Sequence, residues 1–347
     1  MPVRSSRRIL LAILFSIVAA TAPMAVSAKA PAAGCHSGSG MVFFPNPIVS
    51  SGDETLTDRK DVDYDLLNDE RVNKPLTALD GSGYLRGTWA VVINEVGDAA
   101  YSSTCTYNFT RHDDGFEQVM AYYWVTKSQD YLHALGFDGG DWPLINGDQQ
   151  RIRINQWGVD NSFATDHPKD EMRFGKGGVD DAEDAEVILH ELGHQIHFSQ
   201  SASFFDSNEG GSISEGFGDY WAADVVEWAL GGPGAVTSTC IMDWDATSYT
   251  SSVPHCLRTL SAGLTYPDDL NDEVHHDGKI WSQALWALRA AIGPTHADTA
   301  ILWAQFGWGG PDETMTDLAT LIVAQAQARY GQGAAAYAAF AARGILP

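Results

Sequence analysis

Basic residues are scarce in this chain: 21 Lys and Arg stand against 45 Asp and Glu, a formal charge of −24 over 347 residues. That balance excludes nucleic acid as a partner, because phosphate binding needs a basic surface. Cysteine is scarce too. Cys35, Cys105, Cys240 and Cys256 are the whole set, and no two stand in CxxC spacing, which argues against cysteine-ligated zinc. Beyond Ala30 no apolar run is long enough to predict a membrane span. No internal repeat is present, which excludes a solenoid.

What is present begins with an address. Arg4, Arg7 and Arg8 form a positive n-region, Ile9 to Ala20 is apolar, and Val26-Ser27-Ala28 offers small residues for cleavage. Residues 1–28 therefore read as a signal peptide; a cut after Ala30 would leave Pro31 at the new terminus, which is less favourable. Arg7-Arg8 resembles a twin-arginine signal, although basic pairs are common in ordinary n-regions. The mature chain, expected to be secreted or periplasmic, loses three positive charges with this segment. There, four cysteines imply two disulfides with three connectivities. Proximity favours Cys240–Cys256, leaving Cys35–Cys105. The acidic surface is compatible with calcium, but no EF-hand-like loop nominates ligands.

From Phe43 to about Asp80 the chain is rich in Pro, Asp and Asn and reads as an irregular arm. Gly83 to Val96, Thr104 to Phe109, Arg151 to Trp157 and Glu171 to Phe174 have strand character. Helices are predicted over Phe116 to Leu135, Asp180 to Phe198 and Ser214 to Leu230, the last with Ser212 or Ser214 as cap. Four more follow: Lys279 to Ala291, His296 to Phe306, Thr314 to Tyr330 and Ala334 to Arg343. The fold class is α+β. A mixed α/β lobe with its N-terminal arm spans 29–178, and a helical lobe spans 179–347.

The helix at the seam carries His190-Glu191-Leu192-Gly193-His194. Two histidines at i and i+4 lie one turn apart on one face, so both imidazoles can reach one metal ion. Glu191 emerges beside that face, where it can hold a metal-bound water. Glu215 and Asp219 are likewise i and i+4 on the next helix. Glu215 is the third ligand, and Asp219 accepts the outer N–H of a ligand histidine. Two neutral donors and one anionic donor suit zinc better than magnesium or calcium. Gly210, Gly211, Gly216 and Gly218 permit close helix approach. An ordinary acidic pair on a helix is solvated, and His197, one turn on from His194, reads as a packing or surface residue.

HELGH followed by SEGFGDYW resembles the gluzincin metallopeptidases, specifically the fungalysin branch, with thermolysin-like enzymes as more distant relatives. PNPIVSSGDETLTD, DGSGYLRG and FEQVMAYYWVTKSQDYLHALGF share the resemblance, which runs from about Phe43 to the C-terminus. It implies a thermolysin-like two-lobe zincin with the HExxH helix at the seam. It also implies that Asn161 and Ser162 belong to an edge strand that pairs with the substrate backbone. Val274-His275-His276-Asp277-Gly278-Lys279-Ile280-Trp281 resembles the family's Val-His-x-x-Gly-x-(Val/Ile)-Trp, so His275 rather than His276 is implied to donate to the oxyanion. Asp272 or Asp269 could orient it.

The activity so implied is zinc endopeptidase cleavage of extended polypeptides, with Glu191 as general base. Two departures stand out. Phe204 and Phe205 occupy the region where thermolysin-like enzymes carry an assisting tyrosine, and Tyr220 is too close to the ligand helix to replace it. The stretch between Ala28 and Phe43 is also too short for the family's long propeptide. Two other readings compete. A zinc exopeptidase would show an amine-anchoring Gly-x-Met-x-Asn motif, which is not found. A non-catalytic surface-interaction protein retaining zinc would have no use for Glu191.

Overall fold

A computed structural model describes residues 34–347, so the signal-peptide segment lies outside the described residues. The described chain opens with β1 (Gly38–Phe43), α1 (Pro47–Ser51), α2 (Asp65–Asn68) and β2 (Arg71–Leu76). The irregular arm expected from Phe43 to Asp80 is thus partly ordered, since β2 pairs antiparallel with β1. Pro75 concealed β2 because proline lacks a donor; an edge strand, which β2 is, tolerates that loss.

β3 (Ala90–Asn94), β4 (Thr106–Tyr107) and α3 (Asp114–Ala134) follow, then β5 (Gln150–Ile154), β6 (Ser162–Thr165) and β7 (Glu171–Phe174). β1 lies between β2 and β4. The second sheet has the order β3-β5-β7-β6, parallel except for β6, which closes one edge antiparallel to β7. α3 is buried along most of its length because it packs on β1, β3, β5 and the next helix.

That helix, α4 (Ala185–Gln200), carries the HExxH residues. Asp184 caps it by accepting from the Glu186 N–H, and a 3-10 turn over Asp181–Glu183 precedes it. α5 (Asn208–Leu230) starts nearly two turns earlier than the expected Ser214. Its cap is Ser207, which accepts from the Gly210 N–H, so Ser212 and Ser214 lie inside the helix. α4 and α5 touch backbone to backbone: a Cβ added at Gly193 would sit 2.8 Å from the Gly218 Cα. No side chain fits between them.

The loop after α5 folds into a ribbon of β8 (Cys240–Ile241) and β9 (Arg258–Thr259), held by the Cys240–Cys256 disulfide. The Cys35–Cys105 bond ties the start of the described chain to the approach of β4. Four helices complete the fold: α6 (Val274–Ile292), α7 (Pro294–Gln305), α8 (Met315–Tyr330) and α9 (Gly333–Ala341). α6 begins before the expected Lys279 because Glu273 caps it, accepting from the N–H groups of His275 and His276. Strands dominate before α4 and helices after it, yet both share one continuous hydrophobic core. Among the described residues no helix is long and apolar enough to cross a membrane.

Candidate metal centre and substrate cleft

His190, His194 and Glu215 offer donor atoms that all lie within 4.8 Å of one another, and all three residues are buried. Nε2 of His190 is 3.2 Å from Glu215 Oε2, and Nε2 of His194 is 3.5 Å from Oε1. Helical spacing on α4 aligns the two rings, and the Gly193–Gly218 approach brings Glu215 on α5 up to them. Oε2 of Glu215 and Oε2 of Glu191 are both buried without a hydrogen-bond partner. Two inward nitrogens, one inward carboxylate and these orphaned oxygens fit a tetrahedral zinc site with an open position.

The outer ring nitrogens are held from behind. Nδ1 of His190 lies 2.9 Å from Asp219 Oδ1, so a proton on Nδ1 leaves the Nε2 lone pair facing inward. Nδ1 of His194 is 2.9 Å from the Ser214 hydroxyl, which is equally 2.9 Å from His197 Nδ1. Ser214 can accept from His194 and donate to His197. The far nitrogen of His197 then donates to the Gln305 amide, 2.8 Å away, once that amide turns its oxygen toward the ring. This turn also satisfies Gln305 Oε1, which otherwise has no partner. His197 is stacked between Phe204 and Phe217, and burial holds its pKa well below the usual value.

Arg258, from β9, supplies the remaining charge. Its Nε is 2.9 Å from both oxygens of Asp219, and its Nη2 is 2.7 Å from Oδ1. Asp219 therefore serves His190 and Arg258 together. Sequence reasoning missed Arg258 and Ser214. The available signal for Arg258 was its rarity, since a lone base beside Cys256 in so acidic a chain suggests a buried partner.

In the metal-free chain burial lowers the His194 pKa to about 4. Burial acts the same way on His190, but the Asp219 and Glu215 carboxylates beside its two ring nitrogens outweigh it and raise its pKa to about 9. Burial would raise Glu215, yet His194, His190 and Arg258 hold it far below the carboxylate range. Glu191 is pushed up to about 7, first by burial. A raised His190 pKa means the metal-free site carries a proton that zinc must displace. Zinc affinity should then fall roughly tenfold per pH unit below about 9, as competition with a chromophoric chelator would measure. Asp219→Asn should weaken zinc by about 10–100-fold in the same assay, because a neutral amide replaces the charged acceptor that holds both His190 and Arg258.

His275 stands at the first turn of α6 rather than in a loop. Its Nε2 is 3.5 Å from Glu215 Oε2, and its Nδ1 is 2.6 Å from Glu273 Oε1. Glu273 orients it, correcting the expectation of Asp272 or Asp269; Asp272 instead donates its backbone N–H to Asp277. Asn161 immediately precedes β6, and its carbonyl accepts from the Gly175 N–H. Ser162 begins β6 and gives its hydroxyl to Asp181. The Tyr220 hydroxyl is spent on Asp298. A cleft runs past His190, Glu191, Asn161, Arg258 and His275.

Such a cleft, passing three convergent metal donors and a buried glutamate in this α+β frame, is the equipment of a metallopeptidase. Residues 86–300 match the family described as fungalysin metallopeptidase (M36). The precursor of protealysin, a metalloproteinase from Serratia proteamaculans, has a similar fold with a TM-score of 0.56. It is 16% identical, and the match covers 74% of this chain and 87% of that one. No curated protein matches the chain in sequence. The chain belongs to the fungalysin metallopeptidase family, whose members are zinc-dependent peptide hydrolases.

Proposed function

We propose that this is an exported endopeptidase that cuts extended polypeptides, with His190, His194 and Glu215 as zinc ligands and Glu191 as general base. The observation that carries it is the buried Glu191 carboxylate, with one oxygen unpartnered beside the donor triad and on the floor of the cleft. A zinc ion bound there would supply Lewis acidity toward water and the scissile carbonyl. Glu191 takes the proton from the attacking water and returns it to the leaving amine. With Glu273 held against Nδ1, His275 presents its Nε2 edge to the developing oxyanion.

The substrate backbone would pair with β6. It is the edge of its sheet, so its outer side can add an extended strand, with Asn161 at its start. Open space on both flanks of the triad favours internal cleavage: one flank holds Asn161 and Glu191, the other Phe205 and Val274. Export is supported by the n-region and apolar run, and by two disulfides that form in oxidising compartments. Digestion of a denatured protein should yield internal fragments from the start of the reaction. Release of terminal residues alone would contradict the endopeptidase reading.

A further inference from the structure

The cleft beside Glu191 ends in three carboxylates that the mechanism does not use. Asp160, Asp181 and Asp245 bring one oxygen each within 4.8 Å of the others. Asp181 and Asp245 are 2% and 4% exposed, and Oδ1 of each is buried with no hydrogen-bond partner. Asp160 shares side-chain hydrogen bonds with Asp181, Asp245 and Ser248, contacts that bring no positive charge to the cluster. Asp181 accepts from the Ser162 hydroxyl, and Asp160 accepts from the Tyr249 hydroxyl at 2.7 Å. Arg258, the one Lys or Arg lining this cleft, is committed to Asp219. The two histidines there, His190 and His275, are held by Asp219 and Glu273.

We propose that Asp160, Asp181 and Asp245 form the subsite for the side chain that follows the scissile bond, and that this side chain is Lys or Arg. The inference rests on the peptidase reading above and names its substrate class. Position follows from the proton's path. Glu191 delivers a proton to the leaving amine, so the residue bearing that amine lies on the Glu191 side of the triad. The acidic pocket opens on that side; the flank formed by Phe205 and Val274 lies beyond Glu215.

Chemistry selects the occupant. Val187 and Leu257 line the same cleft and suit the alkyl stem of a long basic side chain. An ammonium brings three donors and a guanidinium five, enough to satisfy the two orphaned oxygens and Asp160 together. An apolar side chain would leave those oxygens buried and unpaired, a costly outcome. Burial, and then Asp160, push the Asp181 pKa up to about 8; burial also raises Asp245, with Asp181 and Asp160 adding to it. A carboxylate cluster this short of counter-charge gains most from an incoming cation.

The test is the cleavage profile of the full zinc-loaded chain on a mixed library of unstructured peptides, read by mass spectrometry, with the Asp181→Asn/Asp245→Asn variant alongside. Lys and Arg should be enriched immediately after the cut. kcat/KM for a Lys peptide should exceed that for its Leu counterpart by about 10²-fold or more. In the variant that ratio should collapse toward one. Asn is nearly isosteric and removes like-charge repulsion, so the variant's melting temperature should hold or rise. The proposal is overturned if apolar residues follow the cut, if Lys is enriched only before it, or if only N-terminal residues are released. It is also overturned if the variant keeps the wild-type ratio, or if calcium occupies the cluster while no Lys preference exists. A zinc-loaded wild-type chain that cuts no peptide removes the peptidase reading itself, and this inference with it.

Discussion

Replacing Glu191 by Gln should lower kcat by about 10²–10⁴-fold while one zinc stays bound. Gln keeps the shape and can still hydrogen-bond water, but it cannot take up a proton at the attacking step. The metal should remain because His190, His194 and Glu215 converge without Glu191. Folding should also survive. Glu191 is deeply buried and its Oε2 has no partner, so a neutral amide removes a desolvated charge rather than a contact. The split between lost turnover and retained zinc separates a base from a ligand, since Glu215→Ala should lose the metal along with the activity. A Glu191→Gln protein of near wild-type activity would exclude Glu191 as the base.

Arg111→Met should destabilise the fold by about 3–5 kcal/mol, the largest stability effect expected of a single substitution here. Arg111 is 1% exposed and Glu183 is fully buried. The guanidinium Nε reaches Glu183 Oε1 at 3.0 Å, and Nη2 reaches Oε2 at 2.8 Å. It also donates to the Asp58 carbonyl at 2.8 Å. Removing it strands a buried carboxylate in the turn that leads into α4, the helix of the metal ligands. Arg111→Met/Glu183→Gln should recover part of the loss, because the fully buried charge is gone and only the more exposed Asp58 and Asp61 carboxylates lose their partner. Denaturant unfolding of the two variants measures both effects. A loss below about 1 kcal/mol for Arg111→Met would place the pair among ion pairs of little consequence.

How much of the site was legible depended on whether its geometry is local. His190 and His194, and likewise Glu215 and Asp219, are pairs one turn apart on helices, so their shared faces follow from spacing alone. His275 had no such support; it became a candidate only through resemblance to a family pattern. Arg258, Ser214 and Glu273 were not nominated. Arg258 reaches Asp219 only because a disulfide and a two-stranded ribbon fold the long loop back over α5. Ser214 looked like a helix cap, but Ser207 holds that position, which frees Ser214 to link His194 to His197. Glu273 lies two residues from His275, a cap whose function appears only once α6 is known to start at Val274.

The same division holds for the fold. The long helices and β7 carry their own periodicity and caps. The sheet order, with β6 at the edge beside the cleft, depends on which strands find one another across the chain. The Asp160–Asp181–Asp245 pocket joins a loop before β6, the turn before α4 and a turn between β8 and β9. No window of sequence contains it.

The central claim is that His190, His194 and Glu215 hold a single zinc on which peptide cleavage depends. A stepwise zinc titration of the chelator-stripped chain, following cleavage of an internally quenched peptide, tests it most directly. The stripped protein should show no cleavage, and activity should then rise linearly and break at one zinc per chain. Full activity after chelation, or a break at any other stoichiometry, would contradict it.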